Sequence, residues 1–339
     1  MDGSGTNRRF VLVRRPAGRP DRDDFALVDA PLAPLAEGQF RVRNLYASLD
    51  PAIRGWLDDR ESYMPPVPLG EAVRATTVGE VVESLNPEFP VGAFVVGLHA
   101  IETHSIGAPG GFSQRIDPAM APSLTHFLSV LGAVGLTAWF GVSEILAPGP
   151  GDVLLVSGAA GAVGSLAGQI GRHRGARAIG IAGGPEKCRR LIERFGFDAA
   201  IDYRGKGAAA LAAEIRALAP GGVSHVFENV GGPALDAALL SLKDGARLAL
   251  CGLISEYNAA EPVGARQLWQ LIVRKATMRG FLVSEFLDRF PQGAAAMAAL
   301  VGQGALRFDE HVEEGIERAY PAFMRLFDGS NEGKMILKL

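Results

Sequence analysis

Two short stretches of this 339-residue chain hold residue types whose spacing could do chemistry. The first is SGAAGAVGS, Ser157 to Ser165. Gly161 and Gly164 fill the second and third positions of a G-x-G-x-x-G turn, and Ala159 stands where the first glycine would be. In such a turn the second glycine lets a pyrophosphate approach the backbone. The helix that begins with Ala162 and Val163 then offers unpaired N–H groups and the positive end of its dipole. Alanine in the first position adds only a methyl and is tolerated if φ stays negative. The alternative is a small-residue turn that binds nothing.

The second stretch is IAGGPEK, Ile181 to Lys187. A site for an unphosphorylated dinucleotide usually has an acid at the end of its second strand, holding the ribose 2′-hydroxyl. Gly183 and Gly184 occupy that position here and leave open space, and Lys187 follows within reach. A 2′-phosphate would fit the gap and be neutralised by the lysine. Tyr203, after the next strand, could add a hydroxyl. Against this, Lys187 could be a solvated surface charge and Glu186 the missing acid. The balance favours NADP.

The elements needed to position these residues can be read from the pattern. Residues 8 to about 125 lack helical periodicity and offer short β-like runs (FVLV, QFRVRNLYA, TTVGEVVES, AFVVGLH) between turns, which predicts a mostly β domain. From Asp152 onward, buried strands alternate with helices: DVLLVSG, AVGSLAGQIGRHRG, ARAIGIA, PEKCRRLIERFG, AAIDY, AALAAEIRALA, SHVFENV, PALDAALLSL and ARLALCG. WQLIVRK and ATMRGFLV complete a sixth unit. This alternation predicts a doubly wound parallel sheet. The expected domains are 1–125, completed by about 304–339, and 126–303. The tail carries a helix (IERAYPAFMRLFDG) and a strand (KMILKL) that return to the first domain.

Composition narrows the function classes. The chain is 48% hydrophobic and 21% charged, with net charge −3 and no long basic run, which argues against nucleic acid or an anionic membrane as partner. TNRRFVLVRRP resembles a twin-arginine signal, but its apolar run from Phe10 to Val13 is too short, so a first strand is expected. The uncharged stretch Phe127 to Ser143 is broken by glycines and reads as a buried connector helix. The two cysteines, Cys188 and Cys251, form no metal or disulfide spacing, which fits a reducing cytoplasm. The six histidines are scattered. His99 and His104 fall in an expected loop and read as structural or solvent-facing, so no metal site is expected.

With these residues in view, the chain resembles the zinc-independent medium-chain dehydrogenase/reductase superfamily. Within it, the chain is most similar to the branch of prostaglandin reductases, plant double-bond reductases and bacterial NADPH-dependent curcumin reductases. The stretches that carry the resemblance are NLYASLDPAIRGW, SYMPPVPLGEAVRATTVGEVVES, LGAVGLTAWFG, SGAAGAVGS, AGGPEKC, FENVGG, CGLISEYN, RGFLV and NEGKMILKL, in family order over nearly the whole chain. The resemblance implies a GroES-like β domain, a Rossmann domain, NADPH as cofactor and a homodimer. It also implies metal-independent hydride transfer to the β-carbon of an enone or enal.

The resemblance places Gly161, Ala162, Val163 and Gly164 on the pyrophosphate, Lys187 on the 2′-phosphate and Tyr203 beside it. It puts Asn229, Thr137, the run Cys251, Gly252, Leu253, Ile254, Ser255 to Tyr257, the run Phe281, Leu282, Val283, and Asn331 at the cofactor. Tyr257 is the implied donor to the enolate oxygen, with a packing tyrosine as the alternative; Tyr46, Tyr63 and Arg54 are implied to line the substrate cleft. Tyr46 could equally be a core strand residue, and Arg54 could equally form a surface ion pair. Leu69-Gly70-Glu71 replaces the G-H-E of the zinc enzymes. Ala52-Ile53 and Trp139 depart from the larger or polar aromatic residues of many relatives, and so does the segment His99 to Arg115. Substrate shape is therefore less transferable than cofactor chemistry. A quinone reductase and a non-catalytic NADPH-binding protein are the competing expectations.

Overall fold

The computed structural model describes residues 5–339. The chain divides into two compact units, one of residues 5–128 and 310–339 and the other of residues 129–309.

The first unit is built on strands. β1 (Thr6–Leu12) and β2 (Phe25–Pro31) form an antiparallel pair. A seven-stranded sheet contains β3 (Phe40–Ser48), β4 (Arg74–Ser84), β5 (Phe94–Ala100), β6 (His104–Gly107) and β7 (Ser113–Ile116). The tail adds β14 (Glu310–Glu314) and β15 (Lys334–Lys338), and β15 lies antiparallel to β3. The helix Ala319–Asp328 precedes β15 and buries Ala322, Phe323 and Met324.

The segment His99–Arg115, expected as a loop, is instead the end of β5, a turn, β6, a second turn and β7. Its polar side chains find partners across strands, which explains why it does not read as a strand pattern. His99 bridges Thr77 Oγ1 (2.8 Å) and Ser113 Oγ (3.0 Å), and burial lowers its pKa to about 4.

The second unit holds β8 (Val153–Val156), β9 (Arg177–Ala182), β10 (Ala199–Asp202), β11 (Val223–Glu228), β12 (Leu242–Leu250) and β13 (Thr277–Gly280). Their order is β10-β9-β8-β11-β12-β13, all parallel. Short apolar runs such as VLLV in β8 are buried because helices cover both faces of a parallel sheet. The order reverses between β8 and β11, so the carboxyl ends of those two strands flank the topological switch point of a doubly wound fold. Helices Ala162–His173, Pro185–Glu193, Ala208–Leu218 and Gly232–Leu240 make the crossovers. The uncharged stretch before β8 becomes a 3-10 turn at Leu124–Phe127, a helix at Ala133–Phe140 and a π-helical turn at Gly141–Leu146. Among the described residues no helix is long and apolar enough to cross a membrane.

One buried charge ties the tail into the first unit. Lys334 is 2% exposed, and its Nζ donates to Leu49 O and Asp50 Oδ1, both at 2.7 Å. Burial pulls the lysine below its ordinary pKa while Asp50 opposes that shift. Lys334→Ala leaves Asp50 facing a hole where its cation was. The expected loss is about 2–4 kcal/mol in urea unfolding, toward the lower end because Asp50 is partly solvated. A loss below about 1 kcal/mol would show that the pair does not hold the tail.

Candidate functional site

Each strand of the six-stranded sheet ends in residues singled out from the sequence. Gly161–Gly164 follow β8, Gly183–Lys187 follow β9, and Tyr203 follows β10. Asn229 follows β11, Cys251–Tyr257 follow β12, and Phe281–Val283 follow β13. Since the strands are parallel, all of these lie at one edge, where ligands of open α/β sheets bind.

The turn after β8 is tightly drawn. Gly158 takes φ +58°, and Ala159 is fully buried, its N–H bonded to Ile181 O at 3.0 Å. The left-handed turn position therefore falls on Gly158, one residue before the alanine expected to replace a glycine. A methyl on Gly164 would lie 2.4 Å from Gly158 O, and one on Gly161 would lie 3.2 Å from the same oxygen. Gly161 caps the helix Ala162–His173 in extended conformation, leaving the first-turn N–H groups free of helical partners. The arrangement suits an anion.

After β9 the backbone opens beside cationic and hydroxyl groups. Asp202 Oδ1 accepts from Gly184 N (2.7 Å) and Arg204 N (3.0 Å), and these bonds hold its carboxyl below the ordinary aspartate range. One of its two oxygens is thus turned to the backbone. A methyl on Gly183 would lie 3.0 Å from the Tyr203 hydroxyl, and one on Gly184 would lie 2.9 Å from Arg204 Nη1. Lys187 stands in the first turn of the helix Pro185–Glu193. Glu186, the other candidate acid, is exposed and pairs with Arg189 one turn on. Arg204 was not singled out from the sequence; its signal was a cation directly after Tyr203.

At the switch point the side chains interlock. Ser157 Oγ donates to Glu228 Oε1 (2.8 Å) and accepts from Asn229 N (2.8 Å), while Asn229 Nδ2 donates to Ser157 O (2.7 Å). The segment after β12 hangs on this corner. Cys251 N and Gly252 N donate to Glu228 O, Ile254 N to Asn229 O, and Ser255 N to Val230 O. Leu253 N donates to the Tyr257 hydroxyl at 3.2 Å, which brings that hydroxyl over Gly252. Burial raises the Tyr257 phenol above its ordinary pKa, so it remains a neutral O–H donor. Burial pushes the Cys251 thiol up to about 12, which leaves it without thiolate character at neutral pH.

Two residues of this unit are engaged by neighbours within it. The Thr137 hydroxyl donates to Ala133 O in its own helix at 2.7 Å. The Phe281 ring is buried edge-on against Phe227, with centroids 6.2 Å apart, so only its backbone and the following Leu282 and Val283 extend the strand end.

The remaining named residues belong to the first unit. Tyr46 lies in β3 against the cluster of Val78, Leu128 and Ile336. Tyr63 is half-exposed, its ring edge-on to Trp56. Asn331 Nδ2 donates to Gly333 O at 3.0 Å. Arg54 is 3% exposed and directs its guanidinium to Gly18 O and Asp58 Oδ1. The expected surface ion pair is instead a buried tie within this unit. Among the described residues no group of three or more His, Cys, Asp or Glu could hold a metal ion.

A family profile described as the N-terminal domain of oxidoreductase matches residues 8–114, and one described as zinc-binding dehydrogenase matches residues 162–299. The chain is 36% identical to the NADPH-dependent curcumin reductase of Escherichia coli, over 98% of this chain and 97% of that protein. It is 34% identical to the NADP(+)-dependent 2-alkenal reductase of Nicotiana tabacum, over 98% of this chain and 97% of that protein. The structure of CurA from Vibrio vulnificus in complex with NADPH superposes with a TM-score of 0.90 at 38% identity, covering 98% of both chains.

Fold, switch point and relatives together define an NADP-dependent oxidoreductase with a GroES-like domain and a Rossmann domain. The chain belongs to the medium-chain dehydrogenase/reductase superfamily, in the branch that contains curcumin, 2-alkenal and prostaglandin reductases.

Proposed function

We propose that this oxidoreductase reduces the carbon–carbon double bond of α,β-unsaturated ketones and aldehydes, with Tyr257 as donor to the enolate oxygen. The observation that carries this reading is the Tyr257 hydroxyl. It accepts from Leu253 N–H, which leaves its own O–H to donate, and burial keeps it protonated. The β-carbon of an enone is already electrophilic, so the developing charge on the carbonyl oxygen needs only a well-placed donor. Bound NADPH supplies the hydride, and a solvent-derived proton completes the α-carbon. The names of the curcumin and 2-alkenal reductases support the same substrate class.

The chain's own residues bind and orient. Gly161 to Gly164 and the helix N-terminus take the pyrophosphate. Lys187, Tyr203 and Arg204 surround the 2′-phosphate. Asn229, Cys251 to Ser255 and Phe281 to Val283 form the floor, and Thr137 and Asn331 complete the cofactor contacts. Tyr46 and Tyr63 line the substrate side. The free thiols of Cys188 and Cys251 fit a reducing compartment, and we place the enzyme in the cytoplasm.

The test is NADPH oxidation with a panel of enones, enals and quinones, and with NADH as control. Tyr257→Phe is expected to lower kcat on the order of 10²-fold while leaving the KM for NADPH unchanged. Joint Lys187→Ala and Arg204→Ala is expected to raise the KM for NADPH roughly 100-fold and to spare NADH, through loss of charge-assisted hydrogen bonds. Turnover of quinones alone would replace this reading with a quinone reductase. NADPH binding without oxidation by any acceptor would reduce the protein to a non-catalytic binder.

We further propose a homodimer through the outer edge of the Rossmann sheet. β13 ends the sheet order. The preceding Leu268, Trp269, Ile272 and Val273 are 45–68% exposed, an apolar patch beside an unpaired strand edge. Light scattering is expected to give twice 35.7 kDa for the native chain and a shift toward monomer for Trp269→Asp. A monomeric native chain would end the proposal.

A further inference from the structure

Glu228 is the one acidic side chain of the second unit that is both fully enclosed and bonded to two strand ends. It is 1% exposed at the end of β11. Its Oε1 accepts three hydrogen bonds: from Ser157 Oγ at 2.8 Å, Val230 N at 2.8 Å and Gly231 N at 2.7 Å. Its Oε2 is buried with no hydrogen-bond partner among the described residues. No lysine or arginine is among the groups that act on its charge.

The three donors are not equivalent. Ser157 ends β8 and leads into the glycine turn. Val230 and Gly231 form the turn after β11, and Gly231, at φ +80°, caps the helix Gly232–Leu240. Val230 O in turn receives Ser255 N (2.9 Å) and Ser255 Oγ (2.6 Å), and Asn229 O receives Ile254 N (3.2 Å). One carboxyl oxygen therefore fixes the corner from which both the glycine turn and the Tyr257 segment are suspended.

We propose that Glu228 is the positioning residue of the cofactor crevice, with Oε1 locking the ends of β8 and β11 together and thereby setting both Asn229 and the Cys251–Tyr257 segment. The link to Tyr257 rests on the proposed role of that residue as enolate donor; the link to the cofactor does not. Glu228 acts as the neutral acid. Its three donors favour the charged form, but enclosure without a cation outweighs them and raises its pKa above the ordinary glutamate range. A neutral group at the switch point is compatible with a polyanionic cofactor, whereas an ionised one would repel it.

The sign of the pH effect follows. Above the ordinary glutamate pKa the folded protein holds a proton that the unfolded chain has released. Stability relative to a Glu228→Gln variant therefore falls as pH rises toward the elevated folded value. NADPH affinity falls over the same window in the native enzyme and stays level in Glu228→Gln.

The experiment compares the native enzyme with Glu228→Gln, Glu228→Ala and Ser157→Ala. It measures NADPH Kd by nicotinamide fluorescence from about pH 6 to about pH 9.5, on the alkaline side of the ordinary glutamate range, and hydrogen exchange of residues 251–257. Glu228→Gln keeps the acceptor and is expected within about threefold of the native Kd at neutral pH, without the alkaline decline. Glu228→Ala is expected to weaken NADPH binding at least about tenfold and to speed exchange in 251–257 selectively. Ser157→Ala should fall between, and if Glu228→Ala does not fold, Ser157→Ala and Glu228→Gln carry the test. Native-like binding and exchange in Glu228→Ala, or in Ser157→Ala where that variant stands in for it, would overturn the assignment. Uniformly faster exchange would reduce the residue to a general stabiliser. Damage from Glu228→Gln equal to that from Glu228→Ala would refute the neutral acid. Neither readout requires enone turnover, so an enzyme that proved inactive on enones would still give a clear result for Glu228.

Discussion

The close approach of the Gly164 backbone to the Gly158 carbonyl is the constraint from which the site is built. No side chain can stand between them, so the helix Ala162–His173 begins directly over the end of β8. Its open N–H groups then face outward at the carboxyl edge of the sheet. The same contact places Ser157 where its hydroxyl can serve Glu228 and Asn229 together. The segment after β12 is attached to that corner by main-chain hydrogen bonds.

Much of this was legible because two periodicities are strong. The strand–helix alternation after Asp152 named the parallel sheet, and apolar runs such as VLLV and RAIGIA lie at its centre. Residues after each strand could be singled out because parallel topology brings strand ends to one edge. What the sequence concealed was the identity of the left-handed residue. Ala159 looks like the irregular position, yet the φ +58° turn belongs to Gly158, outside the G-x-G-x-x-G register. The stretch His99–Arg115 hides its strands for a different reason. Its side chains are polar because they bond to one another across β4, β5 and β7, so alternation of apolar residues is missing.

Arg54 and Lys334 show how a charge can hide its role. Both look like surface residues in sequence, and both are nearly inaccessible, with every visible contact directed to backbone carbonyls or one aspartate. A long cationic side chain can cross apolar surroundings and still satisfy its head group, at a desolvation cost that the partners must offset. Composition and spacing cannot distinguish this from a solvated charge. Only the fold decides.

Electrostatics at the carboxyl edge follow one rule: each acid is engaged by the protein's own groups or enclosed. Asp202 is bound by two backbone N–H groups, Glu186 is paired with Arg189, and Glu228 is enclosed without a counter-ion. Arg204 and Tyr203 meanwhile stand directly against Gly184 and Gly183. A cofactor with an extra phosphate gains from the cations it meets. Main-chain hydrogen bonds to one oxygen of Asp202 set the turn after β9 beside the lysine that first suggested the phosphorylated dinucleotide.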